Sequence, residues 1–294
     1  MRGATPRARF APDASLRAGG AVVGLLVLFA VAGAWASGHE PNASDFVSGR
    51  LADGSPTPPG AAHWLGTDVL FRDQLARLAC GARLSLAIAS AASLLSLGIG
   101  ATVGVVAGWY EGKPFSVAGV RVSVDDLLMR LVDVGLAFPF LLLVMAIGAL
   151  LDRSSVGTLL VVLGLTGWLG TARIVRAKTM QVRERDFVLA ARALGQTTPA
   201  ILVRHILPNV AGALLVIGTV SVAQMILAES VLSYLAVGVQ PPTATWGRML
   251  AEGQAYYTAA PWLVVEPGAA ILASVLGFHL LGEGLRRAWE PRER

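Results

Sequence analysis

Long windows without a charged residue decide what this chain can fold into. A membrane-spanning helix needs about 20 mainly apolar residues. Five charge-free apolar runs qualify, at residues 18–39, 84–110, 134–151, 154–172 and 205–228. A sixth, residues 263–281, carries Glu266 and Pro267 near one end. Residues 230–247 are also uncharged, but Gly238 and the pair Pro241-Pro242 break a helix, so an external or re-entrant loop is expected there. Composition agrees: 54% of the 294 residues are hydrophobic and 15% charged, against about 25% charged in soluble domains. That balance excludes an ordinary soluble core, and the abundant apolar surface excludes a disordered chain. The 33 glycines show no Gly-X-Y period and suit close helix packing in a bilayer. The expected fold is an all-α integral membrane protein with six transmembrane helices.

Basic residues orient it. Arg2, Arg7, Arg9 and Arg17 precede the first run. Arg173, Arg176, Lys178, Arg183, Arg185, Arg192 and Arg204 crowd the connection between the fourth and fifth, and Arg286, Arg287, Arg292 and Arg294 follow the sixth. Six crossings put all three clusters on one side, the cytoplasm under the positive-inside rule. Both termini are then cytoplasmic in a multi-pass protein of the cytoplasmic membrane. The net charge of +5 reports topology, not a nucleic-acid partner. Ala34-Trp35-Ala36 after a basic start also resembles a signal-peptide cleavage site, but the run is long enough for a retained anchor. The chain thus divides into a tail with the first helix (1–36), an external loop with an interfacial helix (37–83), a transmembrane core (84–285) holding a cytoplasmic loop (173–208), and a tail (286–294). Phe71, Leu75 and Leu78 have the helical spacing from which the interfacial helix is read.

Sites of covalent chemistry are not legible. No G-x-x-x-x-G-K-[ST], H-E-x-x-H, C-x-x-C or G-x-S-x-G occurs, so nucleotide, metal and hydrolase signatures are missing. A lone cysteine, Cys80, rules out an intrachain disulfide framework. His39, His63, His205 and His279 are scattered and read as unrelated polar residues near interfaces. Ionisable residues near span ends carry more information. Arg130 and Asp133, three apart on one helical face, read as an ion pair or as part of a gate or pathway. Glu229, at the outer end of the fifth span, could line a vestibule. Gly100, Gly104 and Gly108 form a smooth stripe for close helix approach, within the chain or across a dimer.

The basic loop is the most informative segment. Phe187, Ala190, Ala191 and Leu194 follow the spacing of an amphipathic helix. Gly195 supplies a stop. Thr198-Pro199 can cap and start a second short helix, and Pro208 stands where the next span begins. Two short helices at an angle make a knob suited to a groove in a soluble partner, because the Ala-Ala face is poor for lipid insertion.

At this point the chain resembles a known family. Residues 187–195 (Phe-Val-Leu-Ala-Ala-Arg-Ala-Leu-Gly) followed by 204–209 (Arg-His-Ile-Leu-Pro-Asn) resemble the coupling loop of ABC importer permeases, and in particular the second permease subunit of the oligopeptide, dipeptide and nickel branch. His63-Trp-Leu-Gly-Thr-Asp68, Arg72-Asp73, Asp126, Arg130, Asp133, Ala137-Phe-Pro139, Trp168, Ala172-Arg173, Glu229, residues 238–242, Trp246-Gly247, Pro267-Gly268 and 281–286 extend the likeness. Two positions depart from it: Leu189 stands where the family usually has Glu, and Phe71 where it usually has Gly. The resemblance implies a second homologous permease subunit, two ATP-binding subunits that use ATP and magnesium, an external solute-binding protein and a surrounding lipid bilayer. It implies no cofactor bound by this chain and no catalysis by it. Asp186, Phe187, Ala190, Ala191, Arg192, Leu194, Gly195, Arg204 and Pro208 are the expected ATPase-coupling residues. Peptide uptake is the expected function, a nickel or metal-chelate importer the alternative. A gradient-driven transporter or an intramembrane hydrolase would need mid-membrane ionisable groups or a nucleophile–base motif that the chain lacks.

Overall fold

A computed structural model describes residues 14–117, 120–150 and 155–289. Arg2, Arg7, Arg9, Arg292, Arg294 and the junction at residues 151–154 lie outside the described residues. In order, the helices are α1 (Ala14–Ser37), α2 (Gln74–Tyr110), α3 (Val124–Ala137), α4 (Phe140–Leu150), α5 (Val156–Arg183), α6 (Asp186–Ala193), α7 (Thr198–Ile201), α8 (Leu207–Tyr234), α9 (Trp246–Gly253) and α10 (Trp262–Trp289). A π turn, Leu202–Ile206, joins α7 to α8. Strands β1 (Phe115–Val117) and β2 (Val120–Val122) pair antiparallel between α2 and α3, with Ser116 opposite Arg121.

Five of the six expected crossings are continuous helices: α1, α2, α5, the run Thr198–Tyr234, and α10. The third is not the straight span expected over residues 134–151. It is the pair α3 and α4, bent by 91°. Pro139 causes the bend by forcing its predecessor out of the helical region; Phe138 is extended, at φ −89° and ψ 136°.

The separate interfacial helix is also corrected. Residues 74–83 are the first turns of α2 itself, which Asp73 caps by accepting the Ala76 N–H at 2.8 Å. A side-chain cap makes an N-terminus, and with no proline or left-handed residue behind it the helix runs on.

Spans α1 and α8 pack antiparallel to α10, while α2 and α5 run parallel, and this puts the described basic clusters at one end. A Cβ on Gly284 near the end of α10 would strike Leu16 at the start of α1, and one on Gly212 near the start of α8 would strike Trp289. The stripe Gly100, Gly104 and Gly108 serves packing within the chain: α2 lies so close to α5 that a Cβ on Gly104 would sit 2.6 Å from the Ala172 carbonyl oxygen. We call this pole the basic end and the opposite pole, which carries residues 38–73 and α9, the far end. The main core lies between α2, α4, α5, α8 and α9 and includes Ile88, Leu163, Ile226, Leu232 and Trp246.

Candidate functional site: a surface helix keyed to the ends of two spans

Much of residues 173–208 is not loop. Helix α5 continues to Arg183, and one turn later α6 starts at Asp186 without a side-chain cap. Gly195, at φ +75°, ends α6. The Gln196 N–H reaches the Ala191 carbonyl oxygen at 3.1 Å and the Gly195 N–H that of Arg192 at 2.9 Å, the paired bonds of a Schellman stop. The N-cap position of the second helix is Thr197, not Thr198, with no side-chain cap bond, and its four residues are the first turn of one long helix leading into α8. Pro208 explains the π turn before α8. Proline offers no N–H and its ring crowds the carbonyl four residues back, so the ladder widens by one residue there. Asn209 fills in, donating its side-chain amide to the His205 carbonyl oxygen at 2.7 Å.

The two halves of α6 do different things. Val188 and Ala191 are buried with Val105 and Trp109 of α2, Val175 of α5, and Ile201, Ile206 and Val210. Ala191 therefore does not belong to the outward face expected for it; at 3% exposure it is packed against its own chain. The outward half carries Asp186, Phe187, Leu189, Ala190 and Leu194, with Leu194 82% exposed. Leu189, the departure from the family's usual Glu, thus makes this outward half more apolar. Arg192 turns inward, its guanidinium 4.3 Å from the centre of the Trp109 ring, a cation–π geometry. Lys113 approaches the same ring at 4.7 Å. Desolvation, followed by the charges of Arg192 and Arg183, holds the Lys113 ammonium below its ordinary pKa. Arg204 and Pro208 are exposed on the connecting helix, and the Phe187 and His205 rings lie 6.1 Å apart.

Arg183, read from the sequence only as part of a charge cluster, is the keystone of this platform. Its Nη1 donates to the carbonyl oxygens of Gly108 and Glu111, each at 3.0 Å, and its Nη2 to the Glu111 carboxylate at 2.9 Å. A cation placed on the last carbonyls of α2 satisfies orphan acceptors and complements the helix dipole. The ends of α2 and α5 are thereby clamped directly beneath α6. Asp125 of α3 joins them through a two-pronged pair with Arg176, both contacts at 2.5 Å.

The expected gate residues do not form a group. Asp133 pairs with Arg173 of α5 instead of Arg130, and both partners are more than half exposed. Arg130 is exposed on α3. Glu229 lines no vestibule: it is fully buried, accepting from Ser85 of α2 at 2.9 Å and from Ser233 at 2.7 Å. A carboxyl in a core needs such donors, and here they stitch α8 to α2.

At the far end the residues of the family-like segment 63–73 meet α9. Arg72 and Arg77 share Asp68, at 2.7 and 3.1 Å, and Glu252, at 3.3 and 3.1 Å. Arg248 holds the other Glu252 oxygen at 3.1 Å. His39 and His63, unrelated in sequence, stack with ring centres 4.7 Å apart.

Comparison with known proteins matches this geometry. Residues 100–294 fit the family described as binding-protein-dependent transport system inner membrane component. The Bacillus subtilis (strain 168) oligopeptide transport system permease protein OppC is 34% identical over 97% of this chain and 88% of its own length. A putative peptide transport system permease protein of Brucella suis is 39% identical over 95% of this chain and 88% of its own. In fold, the chain superposes on an inward-facing structure of the MetNI methionine ABC transporter with a TM-score of 0.52 at 19% identity, covering 72% of this chain and 96% of that one. A surface helix on clamped span ends, an apolar helical bundle and these likenesses lead to one conclusion: the chain belongs to the binding-protein-dependent transport system inner membrane components, the permease subunits of ABC importers, in the branch that includes the OppC permeases.

Proposed function

We propose that this chain forms one half of the pathway by which an ATP-driven importer brings peptides across the cytoplasmic membrane. The observation that carries this reading is the outward half of α6, apolar and exposed, seated on span ends that Arg183 locks together. An ATP-binding subunit gripping Phe187, Ala190 and Leu194 would move α6. The Val188–Ala191 contact and the Arg183 clamp would then pass that motion to α2 and α5 as a rigid tilt, biasing the bundle between two arrangements. The chain itself does no covalent chemistry; ATP and magnesium are used in the two partner ATPases. A second homologous permease would complete the pathway, and an external binding protein would deliver cargo at the far end. The basic end is then cytoplasmic, as are both termini. Peptide cargo is supported by what the OppC relatives are named for.

The test is Phe187→Asp and Leu194→Asp in the assembled importer. Both positions are exposed, so membrane insertion should be unchanged, while co-purification of the ATPases and uptake of a labelled peptide should each fall at least about tenfold, as when a charge is buried in an apolar contact. Retention of association and uptake by both variants would refute the coupling role. Uptake of a nickel chelate in place of peptide would refute the cargo.

A further inference from the structure

We propose that His39, His63 and Asp73 form a divalent-cation site, best fitted to zinc, at the far end of the molecule. The three come from separate segments: His39 just past α1, His63 in the following loop, and Asp73 at the cap of α2. Folding brings one ligand atom from each within 4.8 Å of the others. The Nδ1 of His63 lies 2.8 Å from Asp73 Oδ2, and the Nδ1 of His39 lies 3.5 Å from the same oxygen. Tetrahedral zinc with bonds of about 2.0–2.1 Å holds its ligand atoms about 3.3 Å apart, so shifts of at most about 1.5 Å, within reach of the half-exposed His39 ring, close the set.

Support around the ligands is what separates this group from a chance contact. Metal-bound histidines give their second nitrogen to an oxygen that fixes the ring. His63 Nε2 faces Ser48 Oγ at 3.3 Å and Asp45 Oδ2 at 3.4 Å. Asp73 is held through its other oxygen, Oδ1, by the Ala76 N–H at 2.8 Å, while Oδ2 is hydrogen-bonded to His63 Nδ1 at 2.8 Å, a bond that ligation exchanges for two bonds to the metal. His39 Nδ1 also lies 2.8 Å from the Ser37 carbonyl oxygen, and ligation exchanges that hydrogen bond for the metal. His63 and Asp73 are buried, whereas the His39 side chain is 40% exposed. The ring of His39 is therefore the solvent side, where water can take a fourth position. Two imidazoles and one carboxylate select zinc, nickel or cobalt over magnesium and calcium, which prefer all-oxygen shells. An ion here would pin the end of α1 to the start of α2 across the intervening loop. It is a clamp within one subunit and not cargo, and it stands independently of the transport reading.

The full-length chain, purified in detergent without a histidine tag and stripped with a chelator, is titrated with zinc chloride by calorimetry and with cobalt chloride by visible absorption. One equivalent of zinc should bind, cobalt should give the intense bands of a tetrahedral N/O site, and zinc should raise the unfolding temperature. His39→Ala and His39→Gln should weaken zinc at least about tenfold and abolish the thermal shift. His205→Ala should behave as wild type. Matching metal-free unfolding temperatures will show that the His39 variants are folded. A wild-type chain that binds no zinc overturns the proposal, as does a loss of less than tenfold in the His39 variants.

Discussion

Among the described residues, two with side chains occupy backbone that glycine prefers. Phe71 and Ala236 both have φ of 61°. For Phe71, where the family usually has Gly, the ring meets Phe46 edge-on at 5.6 Å and lies under Arg50 at 5.6 Å, contacts that offset the conformational cost. Ala236 has no such compensation. It stands just past α8, with Val237 N–H bonded to the Leu232 carbonyl oxygen at 2.9 Å, the place where helices usually set a glycine. Ala236→Gly should therefore raise stability by about 0.5–1 kcal/mol, read as a higher unfolding temperature in detergent. Gly195→Val should do the reverse, costing about 1–2 kcal/mol. A Cβ there meets nothing within 4 Å, so the whole effect is conformational. At Glu229 the partners decide the outcome. Glu229→Ala strands the hydroxyls of Ser85 and Ser233 and should cost about 2–3 kcal/mol, whereas Glu229→Gln keeps them partnered and should cost under about 1.5 kcal/mol.

Between residues and bundle, the elements show how a basic connection becomes a docked helix. A helix of eight residues such as α6 is too short to persist alone in water. It holds because Val188 and Ala191 are packed on α2 and α5 and because Gly195 closes it with two backbone bonds. Arg183 makes the platform rigid, so Arg183→Gln should cost about 2 kcal/mol, the scale of hydrogen bonds made by a charged donor. The same change should uncouple the machine: ATP hydrolysis by the assembled importer should become less dependent on substrate while ATPase association persists. Hydrolysis that stays fully substrate-dependent would mean that Arg183 is a cap and nothing more. Ala191, by contrast, is a poor reporter of the proposed ATPase contact, since enlarging it overpacks the chain's own core.

For the whole molecule, the gathering of the described basic residues at one end makes one strong prediction about sidedness. With Cys80 replaced by alanine, cysteine at Ser55 or Thr243 should react with a membrane-impermeant reagent in sealed cells, and cysteine at Thr197 only after lysis. Reaction at Thr197 in sealed cells would reverse the proposed orientation. Length points the same way on architecture. The 37 residues of α2 span about 55 Å at about 1.5 Å each, well beyond a hydrocarbon core of about 30 Å. Both of its ends must therefore stand outside the core, where Arg77 meets Asp68 and Glu252 at one end and Arg183 caps it at the other.

Periodicity and charge were enough for the spans, their number, the glycine stripe and the placing of the basic clusters at one pole, because burial in lipid demands long apolar runs whatever they pack against. Local chemistry also reached the Gly195 stop and the interruption near Pro241-Pro242. It did not reach the 91° break at Pro139, the run of α2 back to Gln74, or the single helix from Thr198 to Tyr234. Each of these depends on where neighbouring helices let a proline or a cap take effect. Direction was the other blind spot. Spacing put Ala191 on a face with Phe187 and Leu194, but only the docking of α6 on Trp109 and Val175 decided that Ala191 points inward. Partnerships were hidden for the same reason. Asp133 found Arg173, 40 residues away, and not its helical neighbour Arg130; Glu229 found Ser85, 144 residues away; and His39 met His63 over Asp73. A charge or an imidazole in a sequence declares its need for a partner, but which one it meets is fixed by the crossing of helices far apart in the chain.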